Sequence, residues 1–326
     1  MTAASPPQSA ATLPKSAPTQ ICLNFFASAL AGMSASGVFH PLDCLRIRWQ
    51  LVSSVPAAPA PAGSLAQFTA HLARKEGVWR GICAPALGTQ VVLGFFTMGA
   101  KWGAYAPVRD AIAALRGDDE KSATTMAAAG FLSGSVAYCA TSPFYQTKNR
   151  LIADAGKLGA DGVLQTGLRA GQPRLYRGAV DVLRQIVAKE GAAQLWRGAI
   201  PLTLRGSVLN AGHATGYDGT KTICKKRGLV EDGLVLHVFA SVNAAALMCT
   251  LANPFDVVSN RYQAAPTLGV LYASPIECAL SIARKEGGAA FFRGWLPFFG
   301  RHAPLLSVLM PLYEQFRVLL GIGFLD

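Results

Sequence analysis

Apolar positions along this chain gather into long stretches instead of alternating, and small or polar residues break up every stretch. "FFASALAGMSASGVFHP", "MAAAGFLSGSVAYCATSP" and "VFASVNAAALMCTLANP" share this texture and end on Pro41, Pro143 and Pro254. None is an unbroken apolar run of about 20 residues, as a lone lipid-embedded helix needs. The pattern suits helices that face lipid on one side and an aqueous cavity on the other. A variable Gly/Pro-rich loop follows each proline segment, "PAAPAPAGS" in one case and residues from about 154 to 172 in another. A short amphipathic stretch then ends on Lys-Glu-Gly, as in "YRGAVDVLRQIVAKEG", with apolar residues at helical spacing. A further apolar segment follows.

This order of parts occurs three times. The prolines lie 102 and 111 residues apart, and "HLARKEGVWRG", "QIVAKEGAAQLWRG" and "SIARKEGGAAFFRG" end at Gly81, Gly198 and Gly294. Such periodicity predicts three repeats, 21–118, 119–227 and 228–326, after a tail of residues 1–20. Two long helices and one surface helix per repeat predict an all-α membrane protein of six transmembrane helices in three pseudo-symmetric repeats, with both termini on one side. Small residues four apart, such as Gly130 and Gly134, are expected where helix backbones approach closely.

Composition supports the membrane reading: 51% of residues are hydrophobic and 15% charged, whereas soluble domains carry about 25% charge. A net charge of +12 admits nucleic acid, anionic lipid or acidic solutes as partners. Lys and Arg sit at segment ends rather than in one stripe with aromatics, which argues against nucleic acid. The seven cysteines form no CxxC and no paired spacing with the five histidines, so they are expected as small buried hydrophobes, without metal or disulfide. The first twenty residues, rich in Ala, Ser and Pro with one Lys, lack the marks of a signal or transit peptide and read as disordered. No Ser/His/Asp spacing is present and "GKLGADG" lacks a Walker ending, which argues against an enzyme.

The charges after each proline carry the most information. Copy one supplies Asp43, Arg46 and Arg48; copy two Tyr145, Lys148 and Arg150; copy three Asp256, Ser259 and Arg261. A proline late in a helix kinks it, and three equivalent kinks bring these residues to one mouth. Pairing each acid with the base of the next copy joins Asp43 to Lys148 and Asp256 to Arg46, and leaves both losses on one pair, Tyr145 with Ser259. Pairing inside each copy leaves Lys148 and Asp256 single, a costly outcome in a poorly solvated place. Anchoring at lipid headgroups explains neither the acids nor the recurrence.

The Pro-x-Asp-x-x-Arg-x-Arg motif with its Glu-Gly and Trp-Arg-Gly steps, repeated threefold between Ile21 and Gly321, strongly resembles the mitochondrial carrier family of solute exchangers. The resemblance implies a monomeric bundle in the mitochondrial inner membrane with one central site and two ionic rings that open alternately. It implies no cofactor, with membrane lipid such as cardiolipin at the surface-helix ends. The implied matrix gate is Asp43, Arg46, Lys148 and Asp256 with Tyr145 and Ser259, braced by Gln50 and Gln263, whereas Ile152 at the third brace position cannot serve. The implied cytoplasmic gate is Tyr217, Asp218 and Lys221 on the fourth helix and Tyr313, Glu314 and Arg317 on the sixth. The second helix shows Ala100, Lys101 and Ala104 at that level, so Asp218 with Arg317 is the one complete bridge and Lys101 serves Glu314. A weak outer ring needs little substrate binding energy to open, which predicts fast exchange or some uniport.

Thirteen residues before the acid position of each outer motif lies the family's substrate level: Arg205 with Gly206, Arg301 with His302, and Gly88 with Thr89 and Gln90. Arginines in a membrane cavity are expensive unless they have a task, and a guanidinium grips a carboxylate with two parallel hydrogen bonds. The rival reading of Arg205 and Arg301 as salt-bridge partners within the bundle is disfavoured, because no spare acid is expected at their depth. Two cationic contacts suit a small dicarboxylate or oxaloacetate-like anion, and Arg-Gly resembles the dicarboxylate, oxaloacetate and uncoupling-protein branch. Tyr145 with Ser259 resembles the oxaloacetate-type subgroup, and the Gly-aliphatic pair of adenine-nucleotide carriers is absent. His302 is a proton-coupling candidate, although a lone histidine is more often a packing residue. A proton-leak or regulatory anion-binding protein without obligatory exchange stays open as the alternative.

Overall fold

The structure is a computed structural model that describes residues 17–55, 63–117, 123–227 and 234–322. Residues 1–16 of the expected disordered tail lie outside the described residues, as do residues 56–62 of the first loop. From Ala17 onward the remainder of that tail is helical, which corrects its expected extent. The helices are α1 (Ala17–Val38), α2 (His40–Leu51), α3 (Leu65–Glu76), α4 (Leu87–Arg116), α5 (Ala123–Ala153), α6 (Ala179–Lys189), α7 (Ala199–Lys226), α8 (Leu234–Ala264), α9 (Pro275–Glu286) and α10 (Trp295–Leu319).

The long helices close a ring in the order α1, α4, α5, α7, α8, α10, and α10 returns to α1. At the proline end, α2 also meets α5, α8 and α10, so the three segments after the prolines converge. The three prolines do not act alike. The first breaks the helix at Phe39 into α1 and α2, bent by 62°, whereas Pro143 and Pro254 sit inside uninterrupted helices. The residue before the proline helps set this geometry: His40 Nε2 donates to the Pro85 carbonyl at 2.6 Å, tying the broken arm to the chain ahead of α4.

Close backbone approach falls elsewhere than at Gly130 and Gly134, where an added Cβ would find its nearest neighbour no closer than 3.5 Å. It falls between α1 and α4 at Gly32 and Gly94, and between α7 and α8 at Gly212 and Gly216. A Cβ at Gly212 would lie 2.7 Å from the Met248 Cα. These glycines face the neighbour in the ring, while Gly130 and Gly134 have room in front of them.

Among the described residues, two helices pass as membrane spans by length and apolarity alone, Trp79–Arg116 and Leu236–Leu268, and the bent pair of α1 and α2 makes a third. The others carry too much polarity, such as Arg205, Asn210, His213 and Asp218 on α7. The outer face of the ring is apolar nonetheless, with Val136, Ile200, Leu204, Val238 and Phe239 exposed. Of the cysteines, Cys44, Cys224, Cys249 and Cys278 are buried as expected, but Cys83 is half-buried and Cys22 and Cys139 lie exposed on α1 and α5.

Each repeat docks its surface helix against the arm after its proline. Phe68 and Leu72 of α3, Val182 and Ile186 of α6, and Cys278 and Ile282 of α9 form the buried faces. Each fully buried Cβ-branched or Leu-sized side chain in these faces contributes roughly 1.5–3 kcal/mol.

Candidate functional site

At the proline end, two aspartates collect four cations. Asp43 Oδ2 accepts from Lys148 Nζ at 2.9 Å, and its Oδ1 faces Arg46 at 2.5 Å and Arg301 at 3.3 Å. Asp256 Oδ1 faces both Arg46 and Arg205 at 3.1 Å. The inter-repeat pairs Asp43–Lys148 and Asp256–Arg46 are thus formed, and Arg46 also reaches Asp43 within its own copy. Both aspartates are buried, and α2, α5, α7, α8 and α10 each supply a member. The expectation that Arg205 and Arg301 would find no acid at their depth is corrected: each takes up a second site on a gate aspartate. A carboxylate oxygen has two lone-pair directions, so one aspartate can serve two cations.

The third sector differs. Tyr145 and Ser259 form no hydrogen bond with each other, and the buried Ser259 hydroxyl has no partner among the described residues. Tyr145 instead joins an aromatic group: its ring lies tilted against that of Tyr138 at 6.0 Å, and the Arg205 guanidinium lies 5.6 and 5.7 Å from Tyr145 and Tyr138. An amide ladder fills the α5–α8 contact. Asn149 Nδ2 donates to Asn260 Oδ1 at 3.0 Å and Gln263 Oε1 at 2.6 Å, while Asn260 donates to Gln50 Oε1 at 2.7 Å. Gln50 Nε2 also donates to Asp256 Oδ2 at 2.9 Å, so Gln50 braces an ionic bridge. Gln263 bonds to Asn149 rather than to a bridge, because no charged pair exists in its sector.

A second charged triad recurs with threefold regularity and is absent from the sequence-based expectations. Arg48 grips Glu76 at 2.6 and 2.9 Å, and Arg150 with Glu190 and Arg261 with Glu286 repeat the pairing. The last arginine of each proline motif thereby ties its arm to the acid of the Lys-Glu-Gly step. The hydrogen bond from Arg150 holds the Glu190 carboxyl below its ordinary value. At Glu286 burial pushes upward, but the bonds and charge from Arg261 outweigh it and the net direction is down. Recurrence of both residue types at fixed spacing was the available signal.

The opposite end of the bundle holds the second set of expected gate residues, on α4, α7 and α10. Among the described residues, neither Asp218 nor Glu314 forms a salt bridge. Arg317 donates to Asn24 at 3.2 Å, not to Asp218; Lys101 donates to Asn210 at 3.1 Å, not to Glu314; Tyr217 bonds to His237 at 2.6 Å. The expected Asp218–Arg317 bridge is therefore apart here. Lys221 lies over the Tyr217 ring and the Tyr313 ring is buried.

The register of α4 also departs from expectation. Helices α7 and α10 start after glycines in the left-handed conformation, Gly198 (φ 79) and Gly294 (φ 82). The matching position before α4 is Ala86 (φ 58), not Gly81, which lies in a π-turn over Trp79–Cys83. Nineteen residues past these caps lie Tyr105, Tyr217 and Tyr313, and four further on Arg109, Lys221 and Arg317. Tyr105, Ala106 and Arg109 are therefore the α4 counterparts, in place of Ala100, Lys101 and Ala104. Seven residues past the caps lie Leu93, Arg205 and Arg301, so Leu93 replaces Gly88 at the level of the arginines. Gly88 is exposed and lines a groove of about 520 Å³ with Arg80, Arg174 and Tyr176, while Thr89 and Gln90 are buried. An alanine in a glycine-favoring conformation hid this shift. Gly206 leaves room for Tyr138, whose ring atoms lie as near as 2.1 Å to where a Cβ would stand. His302 donates through Nδ1 to the Phe298 carbonyl at 2.9 Å and packs edge-on against the Phe298 ring, which is the packing role.

A threefold helical ring sealed at one end by buried inter-repeat ion pairs, with further guanidinium groups inside held on the same aspartates, defines a solute carrier rather than an enzyme. The model of the mitochondrial carrier protein family matches residues 18–112, 119–228 and 231–323. The chain is 28% identical over 313 residues to the probable mitochondrial 2-oxoglutarate/malate carrier of Dictyostelium discoideum, covering 94% of this chain and 92% of that one. It is 30% identical over 301 residues to mitochondrial uncoupling protein 2 of Arabidopsis thaliana, with 90% and 92% covered. With mitochondrial brown fat uncoupling protein 1 of Canis lupus familiaris it shares 29% over 305 residues, with 92% and 93% covered. The chain belongs to the mitochondrial carrier family: it is a transporter, multi-pass in the mitochondrial inner membrane.

Proposed function

We propose that this carrier moves a small organic dianion, a dicarboxylate or oxaloacetate-like acid, by alternating access through six membrane spans arranged as three repeats. One observation carries the reading. Arg46, Lys148, Arg205 and Arg301 bring four positive charges to the two carboxylates of Asp43 and Asp256. Two positive charges are left over in a buried place, where uncompensated charge is costly. A dianion supplies the missing pair. Among the described residues, the buried Nε–H groups of Arg46, Arg205 and Arg301 have no hydrogen-bond partner, so donors stand ready for it.

The same geometry suggests how binding opens the gate. Arg205 and Arg301 hold Asp256 and Asp43 while the cavity lacks an anion. Carboxylates of an arriving solute compete for both guanidinium groups, leaving the aspartates with fewer cations and the seal at the proline end weaker. Asp218, Lys221, Glu314 and Arg317, with Tyr217, Tyr313 and Arg109, would close the other mouth once the first has opened. The groove between Arg80, Arg174 and the starts of α4 and α6 suits an anionic lipid headgroup such as cardiolipin, since helix N-termini attract phosphate.

The similarity to uncoupling proteins favours a second reading, uniport or leak without obligatory exchange. Liposome transport separates them. Exchange predicts that internal dicarboxylate accelerates uptake of labelled external dicarboxylate manyfold. Uptake or charge flux indifferent to internal solute supports the leak, and no flux of any dicarboxylate rejects the dianion reading.

A further inference from the structure

The connection from α5 to α6, residues 154–178, is the longest of the three that join a proline arm to its surface helix. Connections longer than about 15 residues are uncommon unless they serve a function. This one is folded on itself: antiparallel bridges pair Leu158 with Leu164 and Val163 with Pro173, and the Leu164 amide donates to the Gln172 carbonyl at 2.9 Å. Asp154, the first residue after α5, fastens it. Its carboxylate accepts from the Arg169 guanidinium and, at 3.0 Å each, from the backbone amides of Leu175 and Tyr176, and both members of the ion pair are buried. A carboxylate with three donors gathers both ends of the segment to one point. The segment is therefore a compact strap that moves with α5.

The strap reaches into another repeat. Leu168 is buried in one cluster with Phe68 and Leu72 of α3 and with Leu51 and Val52 of the first proline arm. Arg48 donates to the Ala155 carbonyl at 3.4 Å. On its own side, α3 is bound to α2 by Arg48 with Glu76 and by the Phe68 ring, 5.0 Å from that of Trp49. Two bodies meet here, α2 with α3 and α5 with the strap, and they are the two that the Asp43–Lys148 pair joins. Parting Asp43 from Lys148 carries α3 one way and the strap the other, which draws Leu168 out of its pocket.

Building on the alternating-access reading, we propose that the strap is a latch between the first two repeats, and that Leu168 is a positioning residue that sets how often the proline end opens. The latch lies outside the ion pairs and acts through a different force. Salt and an arriving anion weaken ion pairs, whereas buried apolar surface resists separation whatever solute fills the cavity.

The test uses the full chain in proteoliposomes with Ser259→Cys as a reporter, because this hydroxyl is buried at the proline end on α8, which belongs to neither body. The rate at which N-ethylmaleimide modifies the reporter thiol, located by mass spectrometry, measures opening and needs no solute. Adding Leu168→Ala should raise that rate about tenfold or more, the scale on which losing a buried leucine contact shifts an equilibrium. Asp154→Asn, which frees Arg169, should act in the same direction, while the native Cys278, buried under α9, reacts no faster. In a second chain, Leu72→Cys and Leu168→Cys joined by a short bifunctional methanethiosulfonate should stop succinate uptake relative to wild type treated alike, and a reductant should restore it. If Leu168→Ala does not fold, this linked pair decides. An unchanged reporter rate in folded Leu168→Ala, or undiminished uptake in the linked chain, overturns the latch and leaves alternating access standing. An equal gain at Cys278 means general loosening and overturns it as well. A wild type that does not carry succinate rejects the dianion reading and leaves the decision to the reporter. A reporter that never reacts shows that the proline end stays shut, and overturns alternating access together with the latch.

Discussion

Arg46 and Arg205 share one carboxylate oxygen, each standing 3.1 Å from Oδ1 of Asp256. Arg46 comes from the arm after the first proline and Arg205 from α7, so the proposed gate and the proposed solute level meet on a single atom. Arg301 repeats the arrangement on Oδ1 of Asp43, also beside Arg46. A ligand that engages Arg205 and Arg301 therefore acts on the seal directly, with no intermediate element to transmit its effect. A ligand shifts such an equilibrium only by its differential affinity for the two states, and under the dianion proposal that difference is the exchange of aspartate for solute carboxylate.

Arg205→Ala and Arg301→Ala should each lower dicarboxylate uptake by about 30-fold or more, the scale of losing one partner of a buried charged contact. Arg205→Lys should recover only part, because an ammonium keeps the charge but not the two-pronged grip. Neither alanine variant should melt much earlier than wild type, since Asp256 retains Arg46, Gln50 and Asn260, and Asp43 retains Arg46 and Lys148. Uptake at the wild-type rate in both variants would show that the solute is held elsewhere.

The arginine–glutamate ties should rank by burial. Arg48 and Glu76 are both fully enclosed, with side-chain exposures of 1% and 2%, whereas Glu190 and Glu286 are 27% and 21% exposed. Glu76→Gln leaves a buried guanidinium without its counter-charge and should destabilise by about 3–5 kcal/mol. Glu190→Gln and Glu286→Gln should cost well under that, because solvent screens and replaces part of the interaction. Melting of the three purified variants checks the order; equal losses would mean that burial does not set the strength of the tie.

These ties also set a pH dependence. Both Glu190 and Glu286 have folded-state values depressed below their ordinary 4.5. A depressed carboxyl binds protons more weakly in the folded than in the unfolded chain, so its stabilisation is fully present above 4.5 and fades as pH falls through the lower folded value. The melting temperature should be flat, as far as these two groups are concerned, from neutral pH down to about 4.5 and then fall. In Glu190→Gln the fall should be shallower; an identical acid limb would assign the effect to other groups.

Much of this was legible beforehand because threefold repetition lets one copy correct another. The pairing of Asp43 with Lys148 and of Asp256 with Arg46 follows from where the acid and the base are missing, a pattern that needs no coordinates. The second role of Arg205 and Arg301 was not legible, because depth along a tilted helix cannot be read from spacing alone. Leu93 was hidden for a local reason: the start of α4 is capped by Ala86 in a conformation that alanine seldom adopts, while Gly81 stood where a glycine cap was expected. The recurrence of Tyr105 and Arg109 with Tyr217, Lys221, Tyr313 and Arg317 was the signal that could have revealed the shift. The distal pairs expected between Asp218 and Arg317 and between Lys101 and Glu314 are apart in this conformation, and a sequence does not say which conformation is populated.

The α5–α8 contact offers the sharpest separation between stability and gating. Where the other sectors use ion pairs, this one uses the ladder of Asn149, Asn260, Gln263 and Gln50. Asn149→Ala removes two hydrogen bonds, each worth about 0.5–1.5 kcal/mol, and leaves two buried amide oxygens with fewer donors. The melting temperature should therefore fall in any case. If the ladder contributes to the seal at the proline end, it must be broken during every transport cycle, and its loss should lower the barrier to opening. The expected outcome is a less stable protein that transports faster, with a shallower temperature dependence of the initial rate. A variant that melts earlier while transporting at the wild-type rate would place the ladder among contacts kept in both conformations, and the seal would then rest on the two aspartates alone.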